Sequence, residues 1–257
     1  MTSTHTVGSN PLKDAYQRLN DRVAAAAERS GRRREEISVV AVTKHASPDQ
    51  IRQLVEMGHC DLGENRVQQL AQRAAQLDEY LSRRRSLGRG ADKEQPEVPE
   101  TVRWHMVGHL QRNKVKHLLP LVQLIHSVDS LRLAEEVHAH AQRLDGTADV
   151  LLQVNASKEP GKHGIAAPAV LHLAEQIDTM LHLRLRGLMA MAPQTDSEEE
   201  IRWSFSRARE IFQDIRDARI GGAHFNALSM GMTNDFEIAI EQGANIIRVG
   251  RALFGES

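Results

Sequence analysis

The sequence predicts an α/β protein built as a single (β/α)8 barrel with an extra helix at its N-terminus. Short apolar runs rich in β-branched and aliphatic residues alternate about eight times with longer amphipathic ones, the pattern of a parallel sheet covered by helices. The length, 257 residues, matches the roughly 250 residues typical of such a barrel. An open doubly wound sheet is the competing architecture, but the Gly-rich first strand-to-helix turn that it usually carries is missing.

The elements follow in order. Residues 1–10 (MTSTHTVGSN) read as a flexible N-terminus, and residues 11–257 as one domain. Pro11–Ser30 is the opening helix, with Leu12, Ala15, Tyr16, Leu19 and Val23 on one stripe. Strands are expected at Ile37–Thr43, Cys60–Gly63, Arg103–Val107, Leu124–Val128, Val150–Asn155, Arg184–Met189, His224–Leu228 and Ile246–Val249. Helices are expected between them at Pro48–Met57, Arg66–Leu81, Gln111–Leu118, Leu131–Leu144, Pro168–Met180, Ser197–Arg219 and Asp235–Glu241. Residues 82–100 (SRRRSLGRGADKEQPEVPE) are charged, rich in Gly and Pro and without apolar periodicity, so they read as a mobile surface loop inside one βα unit. Its basic triplet Arg83–Arg85 is either an anion patch or a solvated helix end.

Lys plus Arg number 33 against 34 Asp plus Glu, a formal net charge of -1. That balance gives no broad footprint for nucleic acid or an anionic membrane, so any bound anion must be held locally. Cys60 is the only cysteine, which excludes an internal disulfide and suits a reducing compartment. No secretory signal opens the chain and no apolar run nears the ~20 residues that span a bilayer. A cytoplasmic location is expected.

Four stretches carry chemistry. In AVTKHASP, Lys44 ends an apolar strand, and in a parallel barrel strand ends on the C-terminal face build the active site. A lysine held at such a mouth is partly desolvated, which disfavours its charged form and leaves an amine able to attack an aldehyde. The alternative is a lysine snorkelling into solvent. In LSMGMTNDFEIAI, a strand runs into Ser229 and Gly231, and a helix starts near Thr233 and Asn234. Hydroxyls and free N–H groups there can cup a phosphate, or Thr233 and Asn234 simply cap the helix. In IIRVGRALFG, Arg248 lies on the last strand before Gly250, either reaching the mouth or closing a core ion pair. These last two stretches occupy the positions where many barrels bind phosphate. In DLGENRVQQL, Glu64 and Asn65 either cap the next helix or face the mouth beside Lys44. His105 and His109, in WHMVGHLQRNKV, find no carboxylate or cysteine spacing that completes a metal site, and no metal is expected.

These stretches, with HSVDSLRLA, LLQVNASKEPGKHGI and RGLMAMAP between them, resemble in order the pyridoxal phosphate homeostasis protein family, from about Leu12 to Gly255. That family shares its barrel with the N-terminal domain of alanine racemase. The resemblance implies a protein that binds pyridoxal 5′-phosphate (PLP) as a Schiff base on Lys44. It implies Ser229, Thr233 and the backbone amides of Gly250 and Arg251 around the phosphate, Arg248 facing the pyridine nitrogen, and Asn65 beside the cofactor. The segment after the lysine reads HASP where the family often has TKP or TFP, which leaves the role of His45 open. The second, β-rich domain of alanine racemase, which supplies a tyrosine, has no counterpart before Ser257. Tyr16 and Tyr80, the two tyrosines, fall on helices. The resemblance therefore implies a protein that keeps free PLP at a safe level and passes it to apo-enzymes without turnover; a monomer is expected, and Lys162, in the loop EPGKHGI after a strand, is either a helper in transfer or an ordinary solvent lysine. A minimal PLP-dependent racemase is the alternative. A third possibility is a cofactor-free aldolase or phosphate-binding isomerase using the same lysine.

Overall fold

The computed structural model describes residues 10–88, 99–157 and 163–255. Nine strands form one parallel sheet: β1 (Ser38–Val42), β2 (Asp61–Glu64), β3 (Arg103–Met106), β4 (Leu124–Val128), β5 (Ala148–Asn155), β6 (Ile165–Ala166), β7 (Leu183–Ala190), β8 (Ala227–Ser229) and β9 (Ile246–Val249). Pairing of β4 with β5 and of β1 with β9 closes eight of them into a barrel, and the two-residue β6 adds to β5 alone. The expected eight-stranded barrel is the observed fold.

The helices are α1 (Pro11–Arg29), α2 (Pro48–Glu56), α3 (Val67–Gly88), α4 (Val115–Leu118), α5 (Leu131–Arg143), α6 (Val170–Asp178), α7 (Glu198–Asp217), α8 (Phe236–Glu241) and α9 (Arg251–Phe254). A four-residue α9 cannot cover β9. Helix α1 fills that place in the outer ring, packing on α8, α9 and α2 and pairing Arg22 with Glu237 at 3.0 Å. Asn10 caps α1 by accepting from the Leu12 amide at 3.2 Å, and Pro11 suits the first helical position.

Two apolar clusters result from the alternation of side chains along each strand. The larger lies between sheet and helices. The smaller fills the barrel lumen with Val40, Leu124, Leu151, Met189, Ala227 and Ile246. Gly63 makes room for that packing, because a Cβ there would lie 2.8 Å from Val40 Cγ1. Lys44 and Gly250 continue the inward registers of Val40 and Ile246, so the alternation directs both positions to the lumen's C-terminal rim.

The structure corrects three sequence expectations, decides between the two readings of the basic triplet and adds one short strand. Helix α3 runs on through Ser82 to Gly88, within the stretch expected to be a loop. Arg and Leu are good helix formers, so polarity alone does not end a helix. Arg83 pairs with Glu79 at 2.5 Å and Arg84 with Glu56 at 3.5 Å, so the basic triplet is a solvated helix end. His224 lies in a 3-10 turn over Gly222–His224, and the strand begins at Ala227. The helix expected from Gln111 starts as a 3-10 turn, Arg112–Lys114, and is helical only from Val115. Strand β6 has two residues, too short to leave a periodic signal. Residues 89–98 of the expected loop, Lys162 and residues 1–9 lie outside the described residues.

Candidate functional site at the barrel mouth

Lys44 follows β1 in a turn, and its side chain is exposed. The partly dry mouth expected around it is therefore not present in the protein alone. What is built is the backbone that carries the lysine. Arg73, from α3, donates through Nη1 to the Thr43 carbonyl and through Nη2 to the Ala46 carbonyl at 3.0 Å. Gln69 Nε2 donates to the Lys44 carbonyl at 3.2 Å. Arg73 is held in turn by Glu64, whose side chain is 0% exposed and which also accepts from Thr43 Oγ1 at 2.6 Å. A buried carboxylate is tolerated only when paired and hydrogen-bonded, and Glu64 is both. Neither sequence reading of Glu64 anticipated this: it is a bracket for the Lys44 turn. Asn65 follows at the rim, half-buried, with its backbone so close to Gly108 that a Cβ there would lie 2.4 Å from the Asn65 carbonyl oxygen.

The next wall comes from the loops after β8 and β9. Ala41 stands beside Val249 in the β1–β9 pairing, which puts the Lys44 turn next to Gly250 and Arg251. Gly250 packs against β1, its would-be Cβ lying 3.0 Å from the Val42 carbonyl oxygen. Thr233 does not cap α8. Its hydroxyl turns toward α9 and accepts from the Ala252 amide at 3.4 Å. The turn between them requires Gly231, whose φ is +89° and whose Cβ would meet Ala239 Cβ at 2.6 Å. Thr233, Gly250 and Arg251 are thus brought together on one rim, beside Lys44.

Arg248 is 4% exposed and sits inside the barrel. It donates to Ser229 Oγ at 2.6 Å and to the Ala190 carbonyl at 3.1 Å. Among the described residues it forms no salt bridge, so the core ion pair is not what the fold makes of it. Burial pushes its pKa down to about 10, against the pull of the Asp235 carboxylate. Burial likewise pushes the Asp235 carboxyl up. Ser229 faces the lumen with its hydroxyl on Arg248 and, at 2.9 Å, on His126 Nδ1.

From there a chain of hydrogen bonds descends the lumen. His126 Nε2 meets His105 Nδ1 at 2.9 Å, and His105 Nε2 meets Asp61 Oδ1 at 3.1 Å. Arg103 closes it with two 2.6 Å bonds to Asp61. Burial and the positive charge near it hold His126 well below the usual histidine range. Burial would raise the Asp61 carboxyl, but the bonds from His105 and Arg103 outweigh it and keep the group ionised far into acid. Arg248, Ser229, His126, His105 and Asp61 thus form one continuous hydrogen-bonded column through the lumen. His126 stands in the HSVDS motif, but nothing in its spacing shows a partner 103 residues away.

His109 belongs elsewhere on the rim. Asp129 Oδ2 lies 3.4 Å from its Nδ1, and the ring of His163 stacks on it at 4.6 Å between centroids. Sequence spacing found no carboxylate for His109 because Asp129 arrives from the loop after β4 and His163 from the loop after β5.

Comparison with known proteins decides the family. The model of the alanine racemase N-terminal domain matches residues 16–257. A pyridoxal phosphate homeostasis protein of Helicobacter pylori is 37% identical over 222 residues, 86% of this chain and 88% of that one. The chain belongs to the pyridoxal phosphate homeostasis protein family. A solved structure of a Bifidobacterium adolescentis protein aligns with this family member at a TM-score of 0.82 and 36% identity, covering 95% of this chain and 94% of that one. PipY of Synechococcus elongatus, solved with PLP bound, aligns at a TM-score of 0.70 and 29% identity over 92% of this chain and all of that one. No helix among the described residues of this family member is long and apolar enough to cross a membrane.

Proposed function

We propose that this protein binds PLP on Lys44 as a Schiff base and buffers the free cofactor, without catalytic turnover. The observation that carries the reading is Arg248, a buried guanidinium with no salt bridge among the described residues, set in a lumen whose rim holds an exposed lysine and the Thr233 hydroxyl beside the start of α9. Such a cation is costly to bury, which makes a site for an electron-rich ligand the best account of it.

The residues present fit PLP. When bound, PLP supplies an aldehyde carbon and an electron-poor ring. The Lys44 amine would hold that aldehyde carbon, and Arg73, Gln69 and Glu64 fix the turn that carries the lysine. Thr233 and the amides of Gly250 and Arg251, at the start of α9, receive the phosphate. Arg248 would meet the pyridine nitrogen and, being a cation, would disfavour its protonation. Ser229 positions Arg248, and Asn65 borders the ring.

Absence of turnover rests on the acid–base groups. Tyr16 bonds His59 Nδ1 at 3.3 Å and Tyr80 bonds Glu56, so both tyrosines are engaged on helices away from the Lys44 turn. A second proton donor facing the lysine, which racemisation needs, has no tyrosine to supply it. The name carried by the relatives, homeostasis protein, accords with this reading.

The test is an absorbance spectrum of the protein with PLP, beside Lys44→Ala. A yellow band that borohydride fixes onto Lys44, absent from the variant, is expected. A band of equal strength in the variant would refute the assignment of the lysine. Formation of D-alanine from L-alanine by the loaded protein would refute the claim of no turnover.

A further inference from the structure

We infer that His109, Asp129 and His163 form a binding site for a divalent transition-metal ion of the zinc class on the barrel rim. One ligand atom from each lies within 4.8 Å of the others. They come from three separate loops on the C-terminal side, after β3, β4 and β5, a sector of the rim apart from the β8 and β9 loops. Neither the PLP reading nor the packing of the core uses any of them.

The distances favour shared ligation over a hydrogen bond. His109 Nδ1 and Asp129 Oδ2 stand 3.4 Å apart. That is long for an N–H···O bond, whose mode is about 2.9–3.0 Å. It is the spacing of two ligands on one tetrahedral ion, roughly 3.3–3.5 Å when each bond is about 2.0–2.2 Å. The His109 and His163 rings lie nearly parallel, 24° apart. Two rings so placed can each present a ring nitrogen to one ion. Bringing the widest pair from 4.8 Å to ligand spacing needs a movement of about 1–1.5 Å. Side-chain rotation of the two exposed histidines supplies it.

The donor set selects the ion. Two imidazoles and one carboxylate suit Zn²⁺, Co²⁺ or Ni²⁺, whereas Mg²⁺ and Ca²⁺ prefer all-oxygen shells. Outer bonds orient the ligands: Ser130 Oγ donates to Asp129 Oδ1 at 3.3 Å, and Gln153 Nε2 donates to the His163 carbonyl at 3.3 Å. Since His109 is 47% exposed, the fourth position opens to solvent, where water or an anionic oxygen can bind. The site does not involve Lys44 and stands or falls independently of PLP binding.

Titration of the full-length, PLP-free protein with Co²⁺ tests it, because the visible bands of Co²⁺ report both stoichiometry and coordination geometry. One equivalent with the intense bands of a four-coordinate ion is expected, displaced by Zn²⁺. Outer-shell changes typically cost 10–100-fold in metal affinity, so His109→Ala, Asp129→Ala and His163→Ala should each weaken binding by about 100-fold or more. His138→Ala, in the half-buried histidine pair with His182, should leave it unchanged. No stoichiometric binding, or binding retained in the three variants, overturns the site. Loss in His138→Ala alone overturns it as well, by placing the ion elsewhere.

Discussion

The guanidinium of Arg248 donates to the hydroxyl of Ser229 at 2.6 Å inside the barrel, and that hydroxyl is the upper end of a chain reaching Asp61 at the other end of the lumen. The arginine proposed to meet the cofactor is thus held by a polar column where most barrels of this type place branched aliphatic side chains. The column fixes the guanidinium without neutralising it, so its charge stays available to a ligand.

Replacing Arg248 by Met separates binding from stability. The loss of hydrogen bonds from a charged donor, ~1.5–3 kcal/mol each, is offset by removing a buried charge. Urea unfolding of the PLP-free protein should therefore move by no more than about 2 kcal/mol. PLP affinity should fall at least about tenfold, or ~1.4 kcal/mol, in a spectroscopic titration.

The bracket behind Lys44 gives the opposite profile. Arg73→Ala leaves the Glu64 carboxylate buried and unpaired, which should cost about 3–5 kcal/mol in denaturant unfolding. The double variant Glu64→Gln with Arg73→Met should recover part of that loss. PLP capture should slow in both, because the Lys44 turn loses the donors that hold its carbonyls.

Stability should fall as pH drops from 7 to 5. His126 and His59 have folded-state pKa values lowered chiefly by burial, so both stay neutral in the fold below the ~6.5 of an unfolded histidine. Below that pH the unfolded chain binds protons that the folded chain does not, and folding loses up to about 1.4 kcal/mol per pH unit for each histidine. His126→Asn should flatten the slope of unfolding free energy against pH by about that amount per unit. Asp61 acts lower. Its depressed pKa contributes stability that is complete above the ~3.9 of an unfolded aspartate and is lost as pH falls through the folded value.

Gly250→Ala probes the contact between the two walls of the mouth. The new Cβ would lie 3.0 Å from the Val42 carbonyl oxygen, so the start of α9 must shift by a few tenths of an ångström. A cost of about 1–3 kcal/mol is expected from overpacking, with weaker PLP binding. Gly231→Ala should cost more, since φ there is +89° and the nearest atoms include the Phe236 backbone.

Much of the site was legible from local pattern. Lys44 at the end of VVAVTK, and Gly250 and Arg251 after IIRV, could be placed on one rim because strand ends of a parallel barrel share a face. Ser229 could be placed on β8, but the direction of its hydroxyl depends on Arg248 and His126, which reach it from other strands. Asp129 and His163 could not be joined to His109, since each lies in a different loop.

The sequence by itself determined the barrel, its element order and the lysine at the first strand end, because apolar periodicity and strand-end position are local properties of the chain. Only the tertiary structure decided that Glu64 and Arg73 bracket Lys44, that Arg248 has no ion-pair partner among the described residues, and that a histidine column crosses the lumen. Each of these depends on which side chains closure of the sheet brings within about 3 Å, the range in which hydrogen bonds form. Residues 9 to 103 positions apart in the chain meet only once that closure has occurred.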